Sequence, residues 1–412
     1  MTFVRRLFKD GNALTEGLFL AAFSCYLIFF YLQTTTFAMN VPGLIYSVVR
    51  AVLLGCALYR LYIWRGELNP VTAAVLAAFS GLGLFYFISR GDLMVLDAAL
   101  MTAAAYKVSF KRIGIIYVFT GLFISLLALV CSQTGVITDY TFLTNYGEND
   151  RIRHSLGIIY PTDCFAHIFY IAVIYFIIRW KRITYAEIIG AGAVFAVFFR
   201  LTSARADLAG ALLMLLLVLV MKLTGYKGIK VNDKLRTAGA RVFSCILMPV
   251  CAVFILAVTY LYDSSNSFMY VLDSRMSYRL SLGKTGLDLY GFKLLGSPNF
   301  AENGNANGGI RNYTYVFYDS AYIKYLFKYG LLLLAVLFVV YALIGLRLYS
   351  SKMFYAMVFI SVIALTYIIE HHMLELSYNI TLLLLTADIS TILQSSPYIN
   401  NKKSNGIITK TD

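Results

Sequence analysis

Charged residues and prolines are scarce in this sequence. Only 14% of its 412 residues are charged, whereas soluble domains average roughly a quarter, so the chain lacks the polar surface that coats a water-soluble globule. Six prolines are too few for a proline-rich, low-complexity chain. Hydrophobic residues make up 60% of the sequence and occur in blocks of about 20, the length that crosses a bilayer. The sequence predicts an all-α, polytopic membrane protein.

Cysteine spacing gives no sign of disulfide or metal chemistry. The six cysteines lie in or beside apolar blocks and form no CxxC pair or metal-ligand spacing. They are expected to be small, buried hydrophobic side chains. At the N-terminus, MTFVRRLFKD precedes a long apolar run without a small-residue cleavage site, which predicts an uncleaved signal anchor.

The apolar blocks predict a bundle of about 12 transmembrane helices, with residues 1–412 forming a single integral membrane domain. The predicted spans are 14–37, 41–59, 71–89, 93–108, 113–134, 162–178, 185–200, 207–221, 242–262, 319–345, 353–372 and 376–394.

Basic residues indicate how the bundle is oriented. Most of the 35 Lys and Arg residues fall in alternate connections, which the positive-inside rule assigns to the cytoplasm. Both termini are then cytoplasmic, and the number of spans is even. The two longer connections, 135–161 and 263–318, become outward loops. Because the net charge of +14 is sorted by membrane side, it does not indicate a nucleic-acid partner.

A second group of cations is predicted on the outer side. Its members are Arg90, Arg151, Arg153, Arg200, Arg205, Arg275, Arg279, Lys284, Lys293, Arg311, Lys324 and Lys328. Arg200 and Arg205 bracket a short turn between two apolar spans, where a guanidinium needs an anionic partner or a polar cavity. Asp207 is one candidate partner, and a phosphate-bearing lipid is the other. Inside the spans, Arg50 and Asp97 are expected to pair with each other.

The loop 263–318 has an amphipathic pattern. Its apolar residues at roughly helical spacing are Leu272, Met276, Leu280 and Leu287. They predict an amphipathic helix on the membrane surface, with Arg275 and Arg279 projecting together from a neighbouring face. The tyrosine-rich stretch YTYVFYDSAYIKYLFKYG follows. It forms either an interfacial aromatic belt or a surface that stacks on sugar rings.

Three segments of this chain resemble the bacterial polysaccharide polymerases and O-antigen ligases. They are LTSARADLAGALLMLLLVLVMK, RIRHSLGIIYPTD, and residues 263–318 with the span that resumes after them. Arg275 and Gly286 also fit the Arg-x10-Gly spacing of O-antigen polymerases. The chain has Asp319 where the ligases have a histidine, which favours a polymerase over a ligase.

The resemblance implies a location and a reaction. The chain would lie in the bacterial cytoplasmic (inner) membrane, with an active site that faces outward. It would polymerise undecaprenyl-diphosphate-linked oligosaccharide repeat units into O-antigen, capsular polysaccharide or exopolysaccharide. Its partners would be the lipid-linked oligosaccharide and the bilayer, with a chain-length regulator and a flippase as possible companions. The alternatives are a flippase or transporter of the same lipid-linked oligosaccharide and an O-antigen ligase.

The resemblance also implies which residues act. Fixed cations would stabilise the departing diphosphate, and because no acidic ligand cluster with metal spacing is apparent, a metal-independent glycosyltransferase without a cofactor is expected. The cationic candidates are Arg205, Arg275 and Arg279, with Arg200, Arg151, Arg153 and Arg311 as substrate-binding candidates and Tyr318 and Tyr322 as sugar-binding candidates. The preferred general base is Asp319, whose alternative role is to cap a helix, and the other candidate bases are Asp207, His154 and Asp163. Ordinary solvated charge is expected for Glu370, His371, His372 and Glu375.

Overall fold

The computed structural model describes residues 2–37, 42–144, 151–180, 182–224, 233–303 and 316–394. Within these ranges the helices are α1 (Thr2–Gln33), α2 (Gly43–Ile63), α3 (Pro70–Arg90), α4 (Met94–Ala104), α5 (Phe110–Gln133), α6 (Pro161–Arg179), α7 (Tyr185–Thr202), α8 (Arg205–Leu223), α9 (Asp233–Tyr260), α10 (Ser267–Arg275), α11 (Arg279–Tyr290), α12 (Ala321–Lys328), α13 (Gly330–Ser350), α14 (Phe354–Thr366) and α15 (Ser390–Gln394). The strands are β1 (Thr141–Thr144) and β2 (Arg151–His154), and a 3-10 helix spans Thr381–Leu385.

Eight helices in the described part of the chain are long and apolar enough to cross a membrane. They are α1 from Gly11 onward, α2, α3, α5, α6, α7, α8 and α13. Helix faces expose large apolar side chains such as Phe119 (73%) and Val253 (66%), which suit contact with lipid rather than water. The predicted class of helical membrane protein is therefore confirmed.

Three further predicted spans coincide with shorter apolar helices. These are α4, residues 245–260 of α9, and α14. The 11 residues of α4 rise about 16 Å, which is roughly half the thickness of a hydrocarbon core. Hydropathy located these segments correctly but overestimated the helical length of α4 and α14, whereas α9 itself has 28 residues.

The twelfth predicted span, 376–394, is not a transmembrane helix. This segment contains the 3-10 helix and α15 joined by irregular backbone. Asn379 interrupts it, because its side-chain carbonyl accepts a hydrogen bond from the backbone N–H of Thr381 at 3.0 Å and its amide donates to Tyr341 Oη at 3.2 Å. Leu382, Leu383 and Leu384 are fully buried, so the segment is apolar because it fills the protein core.

The predicted amphipathic helix in the large loop is divided into α10 and α11. Ser277 and Tyr278 between them have positive φ angles of 59° and 65°, which ends one helix before the next begins. The carboxylate of Asp273 accepts hydrogen bonds from the backbone N–H groups of Leu280 (2.8 Å) and Ser281 (3.2 Å), so it caps the start of α11. Arg275 and Arg279 therefore lie on different helices.

The loop 135–161 contains the sheet, a small departure from the all-α prediction. β1 and β2 pair antiparallel, with Thr141 opposite His154 and Thr144 opposite Arg151. The hairpin leads into α6, which is the most enclosed of the candidate spans. On α5, Gly121 allows close packing against α6, because a Cβ at Gly121 would lie 2.7 Å from Ile171 Cδ1.

The predicted Arg50–Asp97 pair is present between α2 and α4. Arg50 Nε lies 2.6 Å from Asp97 Oδ1, and Arg50 Nη2 lies 2.9 Å from Asp97 Oδ2, which makes the contact bidentate. The Asp97 side chain is 3% exposed and that of Arg50 is 19% exposed. Each charge inside the bundle is compensated by the other.

Replacing Asp97 by Ala is expected to destabilise the protein by about 3 kcal/mol, because it leaves the Arg50 guanidinium without its buried counter-charge. Thermal unfolding in detergent measures the effect. Glu67→Ala is the matched control, because its partner Lys107 lies at 2.9 Å but both side chains are well exposed; a loss below about 1 kcal/mol is expected there. Equal losses in the two variants would contradict the assignment.

Candidate active site

The starts of α6 and α8 and one irregular segment converge at one end of the bundle. α6 begins at Pro161, which suits the first helical position, and places Asp163 in its first turn. α8 begins after Ser203, whose φ of 52° reverses the chain, and places Asp207 in its first turn. Both carboxylates lie where the helix dipole favours negative charge.

The irregular segment follows α14 and carries an acidic and histidine cluster, Glu370, His371, His372 and Glu375. Glu370 is 4% exposed, His371 7% and His372 0%. The expectation of ordinary solvated charge is therefore wrong for this cluster. Helix α14 ends at Thr366, and the chain then turns back into the bundle. Met373 and Leu374 are buried there, which brings the adjacent polar residues into the interior.

His372 is the centre of the acidic and histidine cluster. Its Nδ1 lies 3.0 Å from Glu375 Oε2, and its Nε2 lies 3.7 Å from both Asp163 Oδ1 and Glu370 Oε2. His371 Nε2 lies 3.8 Å from Glu375 Oε1. The carboxyl groups of Asp207 and Glu370 are close enough to share a proton. Carboxyl groups from α6, α8 and the segment after α14 thus surround one imidazole.

Burial and neighbouring charges shift the ionisation of this cluster. Burial alone would lower the pKa of His372, but the carboxylates of Glu375, Asp163 and Asp207 outweigh it and raise this pKa. Burial would raise the pKa of Glu375, but His372, followed by Lys324 and Lys328, lowers it. His372 and Glu375 therefore favour a charged pair. Burial and the charge of Asp207 raise the pKa of Glu370 well above its ordinary value, which favours its protonated form.

A column of stacked rings holds His372 in place. Its ring lies 3.7 Å, centroid to centroid, from Tyr378, which lies 3.7 Å from His167 on α6. His167 in turn stacks on Tyr31 of α1 at 3.8 Å. Ring stacking therefore fixes the orientation of the His372 imidazole, whose nitrogens face the carboxylates.

A recess open to solvent lies beside the acidic and histidine cluster. Its lining residues are Ile255, Arg279, Phe317, Tyr318, Asp319, Ser320, Ile323 and Ile368. Arg279 Nε lies 2.9 Å from Asp319 Oδ2, an ion pair by distance although the N–H does not point at that oxygen. Both side chains keep some exposure, 13% for Arg279 and 20% for Asp319. The N-cap of α12 is Ser320, so the alternative capping role does not fall to Asp319.

The recess is joined to the cluster through the backbone. The Ala321 N–H donates to the carbonyl of Glu370 at 3.0 Å, and the Ser320 hydroxyl donates to the carbonyl of Tyr367. The carboxyl groups of both Asp207 and Glu370 interact electrostatically with the guanidinium of Arg279. A fixed cation thus lies between the solvent-facing recess and the buried carboxyls.

Other predicted outer cations are held by internal partners. Lys324 pairs with Glu302 at 2.9 Å, and Lys328 pairs with Asp92 at 2.7 Å. The guanidinium of Arg90 donates to the backbone carbonyls of Lys328 and Leu295. These contacts tie α12 to the large loop and to the end of α3 and the residues after it, which fixes the wall of the recess.

The sequence-predicted site residues divide into two groups. The recess brings together Arg279, Asp319 and Tyr318. Three other predicted cations are exposed at helix ends: Arg200, Arg205 and Arg275. Arg153 Nε donates to the carbonyl of Thr202 at 2.8 Å. Arg151 lies on β2. Tyr322 is fully buried, and its hydroxyl donates to the carbonyl of Ala364 at 2.8 Å. Arg311 lies outside the described residues. Of the alternative bases, His154 pairs with Asp139 at 2.7 Å on the exposed hairpin.

Sequence reasoning missed the acidic and histidine cluster. The available signal was its density, two histidines and two glutamates within the six residues EHHMLE. Glu370, His371 and His372 each place one potential ligand atom within 4.8 Å of the others, so they are the described residues able to hold a metal ion. Their burial depends on the path of the chain after α14, which hydropathy does not reveal.

Comparisons of the chain with protein-family models, with curated proteins and with solved structures find no match.

Replacing Gly286 by Ala is expected to disturb the recess. A Cβ at this position of α11 would lie 2.7 Å from Tyr318 Cε1, so the ring that lines the recess must move, at a cost of about 1–3 kcal/mol. Gly81→Ala in α3 is the control, because no atom lies within 4 Å of the added Cβ. Thermal unfolding should separate the two variants; a Gly286→Ala protein as stable as Gly81→Ala would contradict this packing.

Proposed function

We propose that this protein polymerises lipid-diphosphate-linked oligosaccharide repeat units at the outer face of the bacterial cytoplasmic membrane. The observation that carries the proposal is the Arg279–Asp319 ion pair in a recess at the end of the bundle. It gives one site a fixed cation for a diphosphate and a carboxylate for a sugar hydroxyl. The sequence resemblance supplies the identity of the lipid carrier, undecaprenyl diphosphate. The distribution of basic residues supplies the proposed orientation, with both termini in the cytoplasm.

The proposed reaction exchanges one C–O bond for another. The bond between the anomeric carbon of the growing glycan and its diphosphate breaks, and the electron pair leaves with the diphosphate. The hydroxyl oxygen of the acceptor sugar bonds to the anomeric carbon, and its proton passes to the carboxylate of Asp319. Positive charge develops on the donor sugar and negative charge on the leaving group.

Arg279 is assigned to the diphosphate. Its guanidinium presents a planar fork to phosphate oxygens and is 13% exposed in a recess with apolar walls, where an ionic interaction is stronger than in water. The exposed Arg205 and Arg275 are assigned to attraction of the anionic lipid before it reaches the recess.

Asp319 is assigned as the base for the acceptor hydroxyl. Its Oδ2 lies 2.9 Å from Arg279 Nε at the recess, and carboxylates are weak bases for a hydroxyl proton. A weak base is sufficient when bond breaking at the anomeric carbon runs ahead of attack, because the hydroxyl loses its proton late. Phe317 gives the recess a partly exposed aromatic side chain against which a sugar ring can pack, and the buried Tyr318 supports it from behind.

A flippase is the less favoured alternative. Transporters place substrate sites near the bilayer midplane, whereas the acidic and histidine cluster and the recess lie at helix starts. The intramembrane Arg50–Asp97 pair is closed by a bidentate contact and does not require a substrate. An O-antigen ligase would share the same bond-forming chemistry and differ in its acceptor.

Arg279→Ala is expected to reduce glycan extension by about 100-fold or more, because it removes a fixed cation from the leaving group. Asp319→Asn should also abolish long chains, whereas Arg279→Lys should keep part of the activity because the charge remains but the fork is lost. The assay gives purified protein lipid-linked repeat units and resolves the products as a ladder.

The matched control is Lys284→Gln, a cation of the same helix α11 that donates to the carbonyl of Tyr260. It should leave the ladder unchanged. A normal ladder from Arg279→Ala protein would overturn the site assignment. Wild-type protein that transfers a single unit only to a non-growing lipid acceptor would favour a ligase, and transport without extension would favour a flippase.

The proposed orientation is tested with single cysteines in a background that lacks the six natural ones. A cysteine introduced as Arg275→Cys should react with a membrane-impermeant maleimide in intact spheroplasts. One introduced as Arg65→Cys, exposed in the turn after α2, should react only after the membrane is opened. The reverse pattern would place the recess on the cytoplasmic side and exclude the proposed reaction.

A further inference from the structure

The segment after α14 brings two consecutive histidines to one side of the chain. The rings of His371 and His372 lie 4.1 Å apart, centroid to centroid, although side chains of adjacent residues in a helix or strand diverge. With Glu370 they form a set in which one ligand atom of each residue lies within 4.8 Å of the others. The irregular backbone therefore builds a compact group of two imidazoles and one carboxyl.

Each residue of this set has a buried polar atom without a hydrogen-bond partner. These atoms are Glu370 Oε1, His371 Nδ1 and His372 Nε2. A buried polar atom without a partner costs roughly 1–3 kcal/mol, and such atoms are few in a protein. Asp207 and Glu370 are close enough to share a proton, so the imidazole nitrogens are the atoms that stay without a partner. Two such nitrogens on adjacent residues are explained together by one missing ligand that accepts their lone pairs.

The charges of the surrounding residues indicate that the missing ligand is positively charged. Carboxyl groups of Asp163, Asp207, Glu370 and Glu375 converge on the same imidazole. Two cations near them have ion pairs elsewhere, Arg279 with Asp319 and Lys324 with Glu302. Converging carboxyls in a buried place require a cation or protons.

His372 is already arranged as a metal ligand. Its Nδ1 is 3.0 Å from Glu375 Oε2, so the proton on Nδ1 is directed to that carboxylate. Nε2 faces Glu370 and Asp163, and a metal ion bound there would take the place of the second imidazolium proton. This carboxylate–histidine arrangement orients imidazoles in many metal sites. Metal–nitrogen and metal–oxygen bonds of about 2.0–2.2 Å require these ligand atoms to close by roughly 1 Å.

We propose that Glu370, His371 and His372 bind a divalent transition-metal ion of the zinc type, with Asp163 as an adjacent carboxylate able to complete the coordination. Two imidazoles and one carboxylate match the ligands that Zn²⁺ takes in proteins, whereas Mg²⁺ and Ca²⁺ prefer oxygen ligands. The inference is independent of the proposed function and departs from the sequence-based expectation of a metal-independent reaction.

The experiment uses the full chain, purified without a polyhistidine tag and freed of metal with a chelator. Zn²⁺ is added, unbound metal is removed, and the bound metal is measured by mass spectrometry. About one Zn²⁺ per chain is expected for the wild type, and a loss of at least tenfold in affinity for Glu370→Gln, His371→Gln and His372→Gln. His154→Gln is the matched control, because its histidine lies on the hairpin with Asp139 and should leave binding unchanged.

A second measurement does not depend on whether the variants fold. Co²⁺ added to metal-free wild-type protein should give the visible absorption of a four-coordinate site, and Zn²⁺ should displace it. Zn²⁺ should also raise the thermal unfolding midpoint of the wild type, by about 5 °C at saturating metal. Wild-type protein that binds no Zn²⁺, or that loses as much Zn²⁺ in His154→Gln as in His372→Gln, would overturn the proposal.

Discussion

The need to compensate charge inside an apolar bundle governs this structure. Arg50 and Asp97 neutralise each other as a bidentate ion pair between α2 and α4. Lys324 is neutralised by Glu302, and Lys328 by Asp92. Because a charge left alone in this environment is costly, each pair also determines which helices must be neighbours. The same requirement acts at the acidic and histidine cluster, where several carboxyl groups meet few cations.

The site occupies the end of the bundle at which several helices begin. α6 and α8 contribute Asp163 and Asp207 from their first turns, and α11 contributes Arg279 as its first residue. Their helix dipoles favour negative charge at this end, so carboxylates and an anionic leaving group are both favoured there. The recess and the buried cluster are thus two parts of one electrostatic environment, one facing solvent and one enclosed.

The sequence predicted much of the bundle because apolar runs are long and report directly on lipid contact. It failed where apolar residues fill the protein interior: Leu382 and Leu383 fit a predicted span but pack in a short 3-10 helix that follows Asn379. At the site, Arg279 and Asp319 were both predicted, because their residue types fit the reaction. His372 was missed, because its burial follows from a chain reversal that no local pattern encodes.

The column of rings that runs from Tyr31 through His167 and Tyr378 to His372 joins the first helix of the chain to one of its last described segments. During synthesis, seven of the described helices that can cross the membrane are made before α13 and the segment that supplies two of these rings. His372 therefore joins Asp163 and Asp207 only after most of the described membrane-crossing helices have been synthesised.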